Sequence, residues 1–113
     1  MDRKTKGKRG EELAQSHYKD SGYEILEENY RYKRAEIDFI ALLGEELLVF
    51  VEVKTRSNND FGEPETFVSN EQQSRIREAA EEYIFGIEWQ KDIRFDIACI
   101  NPKGTVEVFQ DAF

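Results

Sequence analysis

Glu36-Ile37-Asp38-Phe39-Ile40-Ala41-Leu42-Leu43-Gly44-Glu45-Glu46-Leu47-Leu48-Val49-Phe50-Val51-Glu52-Val53-Lys54-Thr55 is the stretch whose reading decides the fold. Two runs rich in Ile, Phe, Val and Leu flank a short Gly-Glu-Glu segment, which predicts a β-hairpin with strands over 36–43 and 47–55. Side chains alternate along a strand, so Glu52 and Lys54 share a face. A three-residue loop at Gly44-Glu45-Glu46 pairs Leu43 with Leu47, and that register carries on to set Asp38 opposite Glu52. Directly opposed Cβ atoms lie roughly 4.5–5.5 Å apart.

Charges are normally kept out of strand centres because burying an unpaired carboxylate or ammonium is expensive. Here Asp38, Glu52 and Lys54 interrupt the most apolar part of a polar chain. Two carboxylates are hard oxygen ligands for a divalent cation, and a neighbouring lysine brings a mobile positive charge; hydrolysis of a phosphodiester uses both. The competing interpretation is a solvated Glu52–Lys54 ion pair with Asp38 merely nearby, worth little energetically.

Outward from the hairpin, Gly10 to Ser21 has helical periodicity ended by Gly22, and Tyr23 to Tyr32 forms a first strand. Ser69 and Gln72 have capping-box spacing, and Ile76, Ala79, Ala80, Tyr83 and Ile84 follow as one apolar face of a helix stopped by Gly86. Arg94 to Ile100 and Thr105 to Phe109 are the last strands. The class is α/β, in the order αβββαββ. The strands on either side of the second helix are parallel, which makes the five-stranded sheet mixed. Between hairpin and helix, residues 57–66 have loop composition and the position of a lid, so mobility is expected there.

The 113 residues accommodate one domain, 1–113, with residues 1–9 as a flexible basic tail. No apolar run reaches membrane-spanning length and the N-terminus is charged, so no membrane association and a cytoplasmic location are expected. The lone cysteine, Cys99, excludes an internal disulfide, and the lone histidine, His17, excludes a His-rich metal site. Net charge is −8, which argues against a protein that coats nucleic acid. The excess acid is uneven: residues 1–56 carry eleven basic and twelve acidic side chains, residues 57–113 five and twelve. Basic groups near the carboxylates, Arg31, Lys33, Arg34 and Arg56, are therefore candidates for holding a phosphate backbone.

Five segments taken together, Gly7-Lys8-Arg9-Gly10-Glu11-Glu12-Leu13-Ala14, Glu36-Ile37-Asp38, Phe50-Val51-Glu52-Val53-Lys54-Thr55-Arg56, Arg75-Ile76 through Ala79-Ala80, and Arg94-Phe95-Asp96, carry a resemblance. In this order and spacing they resemble the PD-(D/E)xK, or restriction-endonuclease-like, nuclease superfamily. More closely they are similar to the small bacterial YraN family, related to archaeal Holliday junction resolvases. The resemblance implies a restriction-endonuclease-like mixed five-stranded sheet flanked by helices. It implies catalytic roles for Asp38, Glu52 and Lys54, with Asp38, Glu52, Glu11 and the Val53 carbonyl as ligands of Mg²⁺ or Mn²⁺. Ala35 and Gln72 depart from the family's usual glycine and lysine.

The expected function is metal-dependent endonuclease action on structured or branched DNA. Resolvase-like enzymes work as dimers on the two related strands of a four-way junction, which makes a homodimer possible. Two other classes compete: a non-catalytic nucleic-acid-binding module with the same fold, and an acidic adaptor that binds another protein.

Overall fold

A computed structural model of the chain describes residues 3–56 and 68–113. The elements are α1 (Arg3–Asp20), β1 (Tyr23–Tyr32), β2 (Ala35–Leu43), β3 (Leu47–Thr55), α2 (Asn70–Ile87), β4 (Asp92–Ile100) and β5 (Val106–Phe109). They form one mixed sheet in the order β1-β2-β3-β4-β5, in which only β3 and β4 run parallel. This is the restriction-endonuclease-like fold, with the αβββαββ order expected from the sequence. The segment expected to form a mobile lid, 57–66, lies outside the described residues.

Hairpin geometry follows the loop length. Leu43 pairs with Leu47 and the same register runs to Phe39 opposite Val51, with Gly44 in the left-handed region at φ 60°, where a glycine meets no Cβ penalty. The ends of the helices depart from expectation. Helix α1 starts at Arg3, so the segment read as a tail is helical from there. Helix α2 passes through Gly86 and ends where Glu88 turns left-handed, at φ 57° and ψ 40°; the Trp89 N–H then reaches back to the Ile84 carbonyl at 3.0 Å, a Schellman-type closure that glycine would favour but does not supply here. At the other end, Ser69 caps as its spacing predicts, its hydroxyl accepting from the Gln72 N–H at 3.1 Å.

Each sheet face buries its own apolar cluster. On the α2 side Ile37, Ile40, Leu48, Phe50, Phe95, Ile97 and Cys99 pack with Ile76, Ala79 and Ala80. On the α1 side Phe39, Ala41, Val49, Val51, Ala98 and Ile100 pack with Ala14 and Tyr18. Cys99 is a free, buried thiol, as its apolar setting suggests. No described helix is long and apolar enough to cross a membrane.

One polar group is sealed inside this frame. Asp96 is fully buried and fully partnered: Arg94 donates to both of its oxygens, at 2.7 and 2.8 Å, Tyr18 Oη donates at 2.6 Å, and the Asp111 N–H at 3.2 Å. Asp96 thus ties α1, β4 and the segment after β5 together, an anchoring role and not a catalytic one. Burial, then the Asp96 charge, push the Tyr18 phenol up, so it stays a donor at every ordinary pH. Tyr18→Phe leaves a buried carboxylate oxygen short of one donor, and is expected to lower stability by about 1–3 kcal/mol in equilibrium urea unfolding; an unchanged midpoint would mean that Arg94 and the Asp111 N–H suffice for Asp96.

Candidate functional site

The β2–β3 ladder stops at Phe39 and Val51, one residue short of Asp38 and Glu52, while β3 continues beside β4 as far as Thr55 opposite Ile100. Left without a β2 partner, the Val53 N–H donates to the Asp38 carboxylate at 2.7 Å. The side chain replaces a strand and holds the gap open. On its other edge β2 is irregular at the same place. Pairing passes from Glu28–Phe39 to Tyr30–Ile37 across Asn29, which is left-handed at φ 52°, a conformation asparagine tolerates. Ile37 consequently packs on the α2 side and Phe39 on the α1 side, though only two residues apart. Simple strand alternation, from which the facing of Asp38 and Glu52 is predicted, fails at Asp38 itself.

The acidic groups converge nevertheless. Glu52 follows Leu48 and Phe50 on the α2 side of β3 and is 8 % exposed. Burial first, and then the charge of Asp38 and hydrogen bonding to it, push the Glu52 carboxyl up to about 9. Glu11 approaches Asp38 from α1, and burial followed by the Asp38 charge and hydrogen bond raises it to about 7. Asp38 therefore lies between two other carboxyl groups. Lys54 Nζ is 3.8 Å from Glu52 Oε1, and its charge lowers the Glu52 value by less than burial and Asp38 raise it. At 8 % exposure Glu52 is a buried partner of Lys54 and not part of a solvated surface pair.

Two carboxylates cannot hydrogen-bond each other unless one holds a proton. Glu52 Oε2 is buried and has no hydrogen-bond partner among the described residues, a position that a proton or a cation would satisfy. Hard oxygen donors suit Mg²⁺ or Mn²⁺. Among the described residues, however, no group of three or more His, Cys, Asp and Glu side chains is arranged to hold a metal ion. Asp38 and Glu52 with Glu11 beside Asp38 are the oxygen donors at hand, and backbone and water would have to supply the rest.

Above the pair opens a cleft of about 400 Å³, lined by Arg34, Glu36, Asp38 and Glu52 on the sheet side and by Ser69, Glu71, Gln72, Arg75 and Ile76 at the start of α2. Of the basic groups expected to hold phosphates, Arg34 faces this cleft. Arg31 pairs with Glu36 at 3.7 Å and Lys33 with Glu78 at 3.0 Å, while Arg56 borders a different cavity on the α1 side. Arg75 was not among them. It lines the cleft from α2 and pairs with Glu71 one turn earlier, and nothing in its spacing from the Ser69 cap singles it out.

Residues 10–100 match the family model described as Uncharacterised protein family UPF0102. The chain belongs to that family. It is 46 % identical over 110 residues to a UPF0102 protein of Christiangramia forsetii, covering 95 % of this chain and 92 % of the relative. A UPF0102 protein of Dictyoglomus turgidum is 46 % identical over 109 residues, covering 94 % and 92 %, and one of Flavobacterium psychrophilum 42 % identical over 110 residues, covering 95 % and 92 %. The matched region holds every carboxylate of the cluster together with Lys54.

The raised Glu52 and Glu11 values make stability depend on pH. Between the ordinary glutamate value of 4.5 and values of about 7 and about 9, the folded chain binds more protons than the unfolded one, so this contribution is fully present at the acid end and is lost as pH rises towards 9. Without divalent ions, Glu52→Gln is therefore expected to melt higher than the wild type at pH 8–9, with the difference shrinking towards pH 5. Parallel melting profiles across that range would contradict the assignment.

Proposed function

We propose that the protein is a divalent-metal-dependent endonuclease acting on phosphodiester bonds of structured or branched DNA. The observation that carries this reading is the buried Oε2 of Glu52 beside Asp38, without a hydrogen-bond partner among the described residues, with Lys54 on the same strand face. A fold of the restriction-endonuclease-like class supports it. Asp38, Glu52 and the Val53 carbonyl would hold Mg²⁺ or Mn²⁺, with Glu11 completing the set from α1; once bound, the ion supplies Lewis acidity and a water of lowered pKa.

The chain's own groups have separate tasks. Asp38 fixes the end of β3 through the Val53 N–H, so the carbonyl on the same residue is held in a set direction. Lys54 puts a positive charge next to the carboxylates, where charge builds on a phosphate under attack. Arg34 and Arg75, across the cleft from each other, would position the backbone without reading sequence. A four-way junction offers two related strands, for which a second copy of the chain would provide the second site.

One observation favours a different reading. The lack of a three-ligand side-chain group among the described residues fits a nucleic-acid-binding module that does not cleave. Incubation with linear, flap and four-way-junction DNA in Mg²⁺ and in Mn²⁺ separates the two. The nuclease reading expects metal-dependent cleavage of a branched substrate, reduced by at least about a hundredfold in Asp38→Asn. Binding of the same substrates without cleavage in either metal would establish the module instead.

A further inference from the structure

A second cavity, of about 360 Å³, lies on the α1 side of the β3 exit. Arg9, Gly10 and Leu13 of α1 line it together with Arg56, Asn101 and Lys103, and no Asp or Glu lines it among the described residues. In a chain of net charge −8, the described lining of this hollow brings together three basic side chains from three separate segments. The carboxylate cleft differs in kind: four acidic groups line it alongside two arginines.

The hollow is also built. A Cβ on Gly10 would come within 2.6 Å of Thr55 Oγ1, so a side chain there would displace the Thr55 hydroxyl where α1 lies against the end of β3. The Arg56 N–H donates to the Ile100 carbonyl at 2.8 Å, binding the ends of β3 and β4 together. Asn101 Oδ1 accepts from the N–H groups of Lys103 and Thr105, each at 2.9 Å, and the Gly104 N–H closes onto the Asn101 carbonyl at 2.9 Å. The turn that presents Lys103 is thus fixed before any ligand arrives. Preorganised donors lose little entropy when an anion docks.

Position relative to the carboxylates gives the ligand. Gly10 borders the cavity and the next residue, Glu11, contacts Asp38; likewise Thr55 and Arg56 border it and the preceding Lys54 pairs with Glu52. The two sites flank one strand end. We propose that Arg9, Arg56 and Lys103 form a phosphate-binding subsite that holds a backbone phosphate of nucleic acid lying across the end of β3, beside the carboxylate pair. This rests on the nucleic-acid part of the reading above and not on cleavage.

The test uses full-length protein in EDTA, with labelled duplex and four-way-junction DNA titrated over a range of salt. Arg9 and Lys103 are exposed, so Arg9→Gln and Lys103→Gln leave the core intact. Each is expected to weaken binding and to reduce the slope of log affinity against log salt by about 0.9 on duplex, and the double variant by about twice that. Lys19→Gln, elsewhere on α1, removes the same charge and is expected to leave the slope unchanged. Unaltered slopes in the double variant, or an equal fall in Lys19→Gln, would overturn the subsite. Binding of inorganic phosphate that needs Arg9 and Lys103, with DNA slopes unaffected, would overturn the backbone assignment in favour of a free anion. Should the wild type cleave nothing while the slopes fall as expected, the subsite stands and the nuclease reading alone fails.

Discussion

The 2.7 Å hydrogen bond from the Val53 N–H to the Asp38 carboxylate is the constraint on which the candidate site depends. A backbone N–H at a parted hairpin must find an acceptor, because leaving one buried and unmade costs about 1–3 kcal/mol. Continued pairing with β2 would satisfy it and close the gap. An aspartate side chain satisfies it and leaves the gap open, while keeping its second oxygen for other contacts. Asp38 is thus a structural acceptor and an acidic donor group at once, and the other carboxyl groups, Glu52 from β3 and Glu11 from α1, are arranged around it.

Such an arrangement opposes folding. Glu52 and Glu11 both resist ionisation, and Lys54 at 3.8 Å does not offset burial and the Asp38 charge. The compensation lies elsewhere in the sheet, in two apolar clusters of which β2, β3 and β4 supply most of the buried residues, and in the Asp96 network, where every strong interaction of a buried carboxylate is made. The two buried acids among the described residues are opposites: Asp96 is saturated with donors and Glu52 is short of them. Unsatisfied polar groups held in place by a well-satisfied frame are a common sign of a site prepared for a ligand.

Much of this was legible from residues alone. The hairpin register could be derived because a three-residue loop and a period of two leave one arrangement, and the Ser69 cap because serine three residues before Gln72 has a definite bonding pattern. What escaped was set by tertiary contact. Nothing local tells that β2 changes alternation at Asp38, where the left-handed Asn29 stands on the neighbouring strand. The helical extension of α1 back to Arg3 hides behind a run of basic residues with no apolar period, and the end of α2 at Glu88 hides behind Gly86, the more natural stop. The grouping of Arg9, Arg56 and Lys103 joins three distant segments through backbone contacts, which no spacing rule encodes. Conversely, Arg31 and Lys33 are engaged by Glu36 and Glu78, partners that a count of charge clusters does not reveal.

Calorimetric titration of Mn²⁺ into the protein at pH 7, repeated in buffers of different ionisation enthalpy, tests most directly whether the carboxylate cluster is a cation site. Ligand carboxyls must give up their protons to bind metal. With Glu52 at about 9 and Glu11 at about 7, binding is predicted to release about one to two protons per ion, falling by about one in Glu52→Gln. Binding without proton release, release unchanged by that substitution, or no binding at all would contradict the account.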